Sequence, residues 1–235
     1  MKQLIIASTS TLHGDTYLNY LKEHLKVFFS TGSEIVFIPY AKPGGISYDA
    51  YTTIVRKFFS GLNISVKGIH EFENPVSAIH HAKGIFVGGG NTFLLVNQLY
   101  KNKLFEPLKE AINKGTRYLG TSAGSNICGL TMQTTNDMPI VYPPSFKTLG
   151  IVPFNINPHY LEADKNATHM GETREARIKE FHSINPQPVV GLREGSWLEI
   201  HGKQITLKGN LEARIFEQNK TPYEIKPGTN LSNLK

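Results

Sequence analysis

Ser122 stands at the apex of Gly120-Thr121-Ser122-Ala123-Gly124, a G-x-S-x-G run placed directly after Thr116-Arg117-Tyr118-Leu119. Such spacing describes a strand, a sharp turn and a helix, with the serine hydroxyl held clear of the sheet over the helix N-terminus. A hydroxyl there can act as a nucleophile if a base takes its proton and amide donors receive the charge that develops on the attacked carbonyl. The same residues would also serve as a tight turn capped by Ser122. The rest of the chain therefore has to supply a base, an acid and an oxyanion site.

Gly88-Gly89-Gly90-Asn91-Thr92 offers unhindered backbone N–H groups after a strand. With the Ala123 amide they could form an oxyanion hole. The spacing matches neither common phosphate-binding loop, and a turn with glycine at positive φ is the simpler structural role. Among nine histidines, His159 in Ile156-Asn157-Pro158-His159-Tyr160 stands out. It follows the strand-like run Ile151-Val152-Pro153-Phe154, and Pro158 stiffens its approach. His13 falls in a loop, and His80 and His81 are neighbours on a helix. Glu194, between the apolar Val189–Leu192 run and Gly195, is a candidate acid to orient the imidazole. Asp137, in Thr134-Thr135-Asn136-Asp137-Met138-Pro139, competes with it. Arg174 and Arg177 share a helix face. Either could grip a carboxylate, or both could pair on the surface with Glu172 and Glu175. No H-E-x-x-H, EF-hand loop or carboxylate-histidine cluster points to a metal, and Cys128 reads as a buried thiol.

These groups need a scaffold. The chain has 235 residues, 40% of them hydrophobic and 19% charged, as expected for a single α/β domain spanning residues 1–235. One cysteine excludes an internal disulfide. The N-terminal apolar run is too short for a signal-peptide core, and no later stretch has membrane-spanning length; a cytoplasmic location is expected. The net charge of +6 comes from basic residues spread along the chain, so neither nucleic acid nor membrane is an expected partner.

Apolar runs alternate with helical patterns. Strands are expected at Leu4–Ala7, Ile35–Pro39, Ile64–Ile69, Gly84–Val87, Arg117–Gly120 and Val189–Leu192. Helices are expected at Tyr17–Phe29 (Leu18, Leu21, Leu25 and Phe28 on one face), Tyr48–Leu62, Pro75–Ala82 behind an Asn74 cap, from Asn91 or Thr92, and Leu104–Asn113. Strands apolar throughout imply a parallel sheet covered on both faces, whose ligands bind beyond the strands' carboxyl ends. Trp197–Ile200 and Gln204–Leu207 form a C-terminal hairpin, and Tyr223–Ile225 adds an edge.

Read together, Val87-Gly88-Gly89-Gly90-Asn91-Thr92-Phe93, Gly120–Asn126, Thr134–Ile140, Ile156–His159, Gly171-Glu172-Thr173-Arg174-Glu175 and Glu194-Gly195 resemble, in order, the motifs of peptidase E, the α-aspartyl dipeptidases. The resemblance spans most of the chain from Ile35 onward. It implies a mostly parallel sheet sandwiched by helices, of the class I glutamine-amidotransferase-like (flavodoxin-like) type. It also implies a serine exopeptidase that removes N-terminal aspartate from Asp-X dipeptides without metal or cofactor. By the same resemblance Ser122 is the nucleophile, His159 the base and Glu194 the acid. Gly90 and Ala123 give the oxyanion amides, Arg174 holds the aspartyl side chain, and Asp137 and Asn91 support the site. The implied partners are small acidic dipeptides, with the protein a monomer or homodimer. Tyr160 and the variable Leu161–Met170 loop depart from some relatives. An α/β-hydrolase esterase fits the elbow too but needs the order Ser, acid, His; Asp164 and His201 would give that order, but nothing around either residue supports it. A non-catalytic binding protein on the same fold is the other alternative.

Overall fold

The computed structural model describes residues 1–162 and 171–235. The first half of the chain alternates strand and helix: β1 (Gln3–Ala7), α1 (Lys22–Phe29), β2 (Glu34–Ile38), α2 (Tyr48–Ser60), β3 (Ser65–Gly68), α3 (Pro75–His81), β4 (Gly84–Val87), α4 (Thr92–Lys101), α5 (Phe105–Lys114), β5 (Arg117–Thr121) and the one-turn α6 (Ala123–Asn126). After a long connection come β6 (Asn155–Pro158), α7 (Arg174–Phe181), β7 (Val189–Leu192), β8 (Ser196–His201), β9 (Gln204–Gly209), β10 (Ala213–Phe216) and β11 (Tyr223–Ile225).

One sheet has the order β3-β2-β4-β5-β1-β8-β9. Its first five strands are parallel, and the β8–β9 hairpin closes it antiparallel. Alternate residues of β1 enter opposite cores. Leu4 and Ile6 pack with Ile79, Leu95 and Leu108 of α3, α4 and α5, and Ile5 and Ala7 with Leu25, Val55 and Phe59 of α1 and α2. Burial on both faces is why the strands read as unbroken apolar runs. Each fully buried Leu or Ile contributes about 1.5–3 kcal/mol by leaving water, so the strand ends that carry the chemistry are firmly held. The α/β class, the sandwiching helices and the C-terminal hairpin are as expected.

The second sheet has the order β11-β10-β7-β6; β7 and β11 are expected strands, but their separation from the first sheet is not. Its β6 and β7 are parallel, and β10 joins β7 and β11 antiparallel. Two expectations need correction. The strand before His159 is Asn155–Pro158, not Ile151–Phe154. Ile151, Val152 and Phe154 are buried in the main core, but the Ile151 and Val152 amides donate to the Cys128 carbonyl at 2.9 and 3.1 Å instead of joining a sheet. The helix expected from Tyr17 begins only at Lys22, because Leu18 takes φ 54° and a 3-10 turn intervenes at Asn19–Leu21. The apolar face was still read correctly: Leu18, Leu21, Leu25 and Phe28 are all buried. Among the described residues no helix is long and apolar enough to cross a membrane.

Candidate active site

Strand β5 ends at Thr121, and α6 starts at Ala123, so Ser122 alone makes the turn. It does so with φ 53° and ψ −111°, a sparsely populated region that costs on the order of 1–3 kcal/mol. Three backbone bonds hold it there. The Ser122 amide donates to Ala7 O at 3.1 Å, and its carbonyl accepts from the Ser125 and Asn126 amides, both at 2.9 Å. A Cβ on Gly89 would lie 2.9 Å from Ser122 Cβ, so the turns after β4 and β5 touch and only glycine fits between them.

His159 follows β6 and takes φ 56°. Its amide donates to Ser8 Oγ at 2.8 Å, and Asn136 Nδ2 donates to the preceding Pro158 carbonyl at 2.9 Å. That backbone aims the ring between two groups. His159 Nδ1 lies 2.6 Å from Glu194 Oε1, and His159 Nε2 lies 2.8 Å from Ser122 Oγ. An ionised carboxylate can only accept, so Nδ1 carries the proton and the Nε2 lone pair faces the serine hydroxyl. Glu194 is the second residue beyond β7. Its neighbour Arg193 is engaged elsewhere, with Glu162, with Glu224 at 2.8 Å and over the Tyr160 ring, which leaves Glu194 to the imidazole. The ring and the carboxylate are both half-buried, at 33% and 43% side-chain exposure, so substrate can reach them.

Gly90 has φ 145°, and a Cβ there would run into the Ala41 carbonyl. Ala41 O accepts from the Asn91 amide at 2.7 Å, and Tyr51 Oη donates to Gly89 O at 3.4 Å, which fixes the plane of the Gly89–Gly90 peptide. Ala123 is the first residue of α6, where an amide has no partner within the helix.

A cavity of about 160 Å³ brings Ser122, Ala123, His159, Asp137 and Arg174 together. It shares Thr135, Asn136 and Arg174 with a larger chamber of about 570 Å³ that contains none of Ser122, His159 and Glu194. The chemistry therefore belongs to the smaller space. Arg174 opens α7 behind a Thr173 cap that accepts from the Ala176 amide at 3.0 Å. Its Nη1 is buried and has no hydrogen-bond partner among the described residues. Burial lowers the proton affinity of the guanidinium from its ordinary value, and the nearby Glu194 charge opposes that shift. Arg177 instead pairs with Glu172 at 3.6 Å, a surface ion pair.

Asp137 does not touch the imidazole. Its Oδ2 accepts from the Thr92 amide at 2.7 Å and from Thr135 Oγ1 at 3.0 Å, placing a carboxylate at the N-terminus of α4, where the helix dipole favours it. Asn91 caps the same helix, accepting from the Leu94 amide at 3.0 Å, and its Nδ2 donates to Met138 O at 2.8 Å. These bonds fasten the Asp137 loop to the glycine turn.

Comparison with known proteins places this geometry. Residues 4–208 match the model of peptidase family S51. The chain belongs to that family. It is 46% identical to the Peptidase E of Streptomyces coelicolor over 231 residues, covering 98% of this chain and 94% of the relative. It is 39% identical to a probable alpha-aspartyl dipeptidase of Drosophila melanogaster over 236 residues, covering 99% and 97%. The crystal structure of a putative peptidase E from Listeria monocytogenes has the same fold, with TM-score 0.67 at 23% identity over 89% of this chain and 98% of that one. So does a peptidase from an acI-B1 actinobacterium, with TM-score 0.72 at 16% identity over 98% and 96%.

In this S51 chain Ser122, Ala123, His159, Asp137 and Arg174 line one cavity and Glu194 joins them through His159, while the other candidates below fall outside that lining. His13, His80 and His81 are exposed, His201 pairs with Glu199 at 3.0 Å, and Asp164 lies outside the described residues. Cys128 is fully buried, and burial pushes its thiol up to about 12, so it is no second nucleophile. Among the described residues one group, Asp49, His70 and Glu71, brings potential metal-ligand atoms within 4.8 Å of one another. Glu71 already accepts from Arg56 and from the Gly68 amide, and all three stand apart from the cleft. Sequence reasoning missed Ser8, Thr92 and Asn136, whose contacts to His159, Asp137 and Pro158 arise only when distant segments meet.

Proposed function

We propose that this S51 peptidase is a serine dipeptidase that hydrolyses Asp-X dipeptides through an acyl-enzyme on Ser122. The observation that carries the substrate is Arg174. A buried guanidinium nitrogen without a partner among the described residues, on the wall of the cavity that holds the nucleophile, suits a carboxylate able to accept two parallel hydrogen bonds. A side chain without an acceptor would leave that group unsatisfied, at a cost of about 1–3 kcal/mol or more. The names carried by the Streptomyces and Drosophila relatives support the same reading.

In this mechanism Ser122 Oγ attacks the aspartyl carbonyl carbon while His159 Nε2 takes the hydroxyl proton, and Glu194 stabilises the imidazolium through Nδ1. The Gly90 and Ala123 amides receive the charge on the carbonyl oxygen. His159 then protonates the departing amine, the C–N bond breaks, and residue X leaves. Water, deprotonated by the same imidazole, attacks the ester and releases aspartate with Ser122 restored. Asp137 and Asn91 keep the loop and glycine turn in register. The chain order Ser122, His159, Glu194 argues against the esterase alternative, which requires the acid before the histidine. The reading includes a cytoplasmic protein, monomer or homodimer, acting on small acidic dipeptides without metal, cofactor, nucleic acid or membrane.

The test is a dipeptide panel of Asp-Leu, Glu-Leu and Ala-Leu on wild type and Ser122→Ala. Free aspartate is expected from Asp-Leu with wild type and none with Ser122→Ala. Equal turnover of Asp-Leu and Ala-Leu by wild type would overturn the assignment.

A further inference from the structure

We propose that Ser8 is a positioning residue for catalysis, whose single hydroxyl sets the base and the acid of the triad against each other. The inference rests on the roles proposed for Ser122, His159 and Glu194. Ser8 is the first residue beyond β1 and is completely buried. Its Oγ donates to Leu192 O at 2.7 Å and accepts from the His159 amide at 2.8 Å. Leu192 ends β7, two residues before Glu194, and His159 begins the loop after β6. One side chain of the large sheet thus bonds to both strand ends of the second sheet that carry the pair. The Ser8 amide adds a third tie, donating to Ser196 O at 3.1 Å just past Glu194.

The residue before it completes the arrangement. Ala7 O accepts from the Ser122 amide at 3.1 Å and from Ser125 Oγ at 2.6 Å. The end of β1 is therefore the common reference for nucleophile, base and acid. The two serine-held partners do not respond alike to loss of the hydroxyl. Leu192 O also accepts from the Tyr160 amide at 3.1 Å, so it keeps a donor. The His159 amide gives up its side-chain acceptor, in a residue whose positive φ, 56°, has to be held from outside. The imidazole is aimed by that backbone, and a misplacement of about 1 Å at a reacting group can cost on the order of 10²-fold in rate.

Ser8→Ala removes one oxygen and leaves the rest of β1 intact. Thr148→Val is the matched control: Thr148 is also buried, and its hydroxyl donates to Gly129 O at 2.7 Å and its amide to Leu130 O at 3.0 Å, neither of them a triad residue. Three readouts are taken: the rate at which a fluorophosphonate labels Ser122, kcat and KM on Asp-Leu, and the low-field proton resonance of the His159 Nδ1–H bonded to Glu194. For Ser8→Ala, labelling and kcat are expected to fall at least ten-fold with KM within three-fold of wild type, and the low-field resonance to be lost or broadened. Thr148→Val is expected to lower Tm and change none of the three. Should Ser8→Ala fail to fold, Ser8→Cys, which keeps a weak donor and acceptor, is expected to slow labelling by a smaller factor. Wild-type labelling and an unaltered low-field resonance in a folded Ser8 variant, with only Tm reduced, would overturn the proposal. Fluorophosphonate labelling without Asp-Leu cleavage by wild type would sink the substrate assignment alone, because Ser8 is still read by labelling. No labelling of wild type would remove the catalytic roles and this inference with them.

Discussion

His159 Nε2 stands 2.8 Å from Ser122 Oγ, although the two residues follow strands of different sheets. The contact needs both sheets to be docked, and the buried cluster that joins Ile156 and Val190 to Leu4, Val87 and Leu198 provides that docking. The site is thus a property of the assembled core, with each reacting group at a strand end and none inside a strand.

Glu194 bears on the reaction through one short contact, 2.6 Å to His159 Nδ1. Glu194→Gln keeps the shape but removes the charge and allows the amide to donate, favouring the wrong imidazole tautomer. A fall in kcat of about 10²–10⁴-fold is expected, with KM little changed. Steady-state kinetics on Asp-Leu measure it, and a fall below three-fold would remove Glu194 from the triad.

Gly90→Ala tests the oxyanion turn. The new Cβ meets the Ala41 carbonyl and is strained at φ 145°, so the Gly89–Gly90 peptide has to rotate. Loss of one oxyanion donor costs about 2.7–4 kcal/mol of transition-state stabilisation, which predicts kcat lower by about 10²–10³-fold. Chemical denaturation is expected to report some loss of stability as well. A variant with normal kcat would place the oxyanion site elsewhere.

Stability is expected to fall in alkali. Burial pushes the Cys128 thiol up to about 12 and holds the Tyr118 phenol above its usual range. An unfolded chain releases the thiol proton near its ordinary pKa of about 8.5. Between that value and about 12 the unfolded state therefore binds fewer protons than the folded state, and stability declines as pH rises. Tm measured from pH 8 to 10.5 should drop steadily, and less steeply in Cys128→Ala. A Tm independent of pH across that range, or an equal slope in the variant, would contradict this account.

Much of the architecture could be read in the sequence because the sheet is buried on both faces. Gly84–Val87 and Val189–Leu192 have the expected limits, since an apolar run bounded by turn residues leaves little else for the chain to do. The strand before His159 broke that rule. Asn155 and Asn157 are fully buried and satisfied by Thr131, Thr134 and Asn136, so a polar strand read as a loop while the apolar Ile151–Phe154 read as a strand. Ala213–Phe216 was hidden for a related reason, because Arg214 interrupts it and is paired with Glu224 and Glu175. The reacting residues were legible through their motifs. Ser8 was not, since one serine in Ser8-Thr9-Ser10-Thr11 carries no local mark of the strand ends it joins.

The most direct test of the central claim, that Arg174 reads an acidic side chain beside the Ser122 nucleophile, compares Asp-Leu with its neutral isostere Asn-Leu in wild type and Arg174→Ala. The measured quantity is the ratio of their kcat/KM values. A lost charge-assisted contact of about 1.5–3 kcal/mol predicts a wild-type ratio of at least about 10-fold, collapsing toward one in Arg174→Ala while fluorophosphonate labelling of Ser122 persists. A wild-type ratio near one, or a large ratio that survives loss of Arg174, would contradict it.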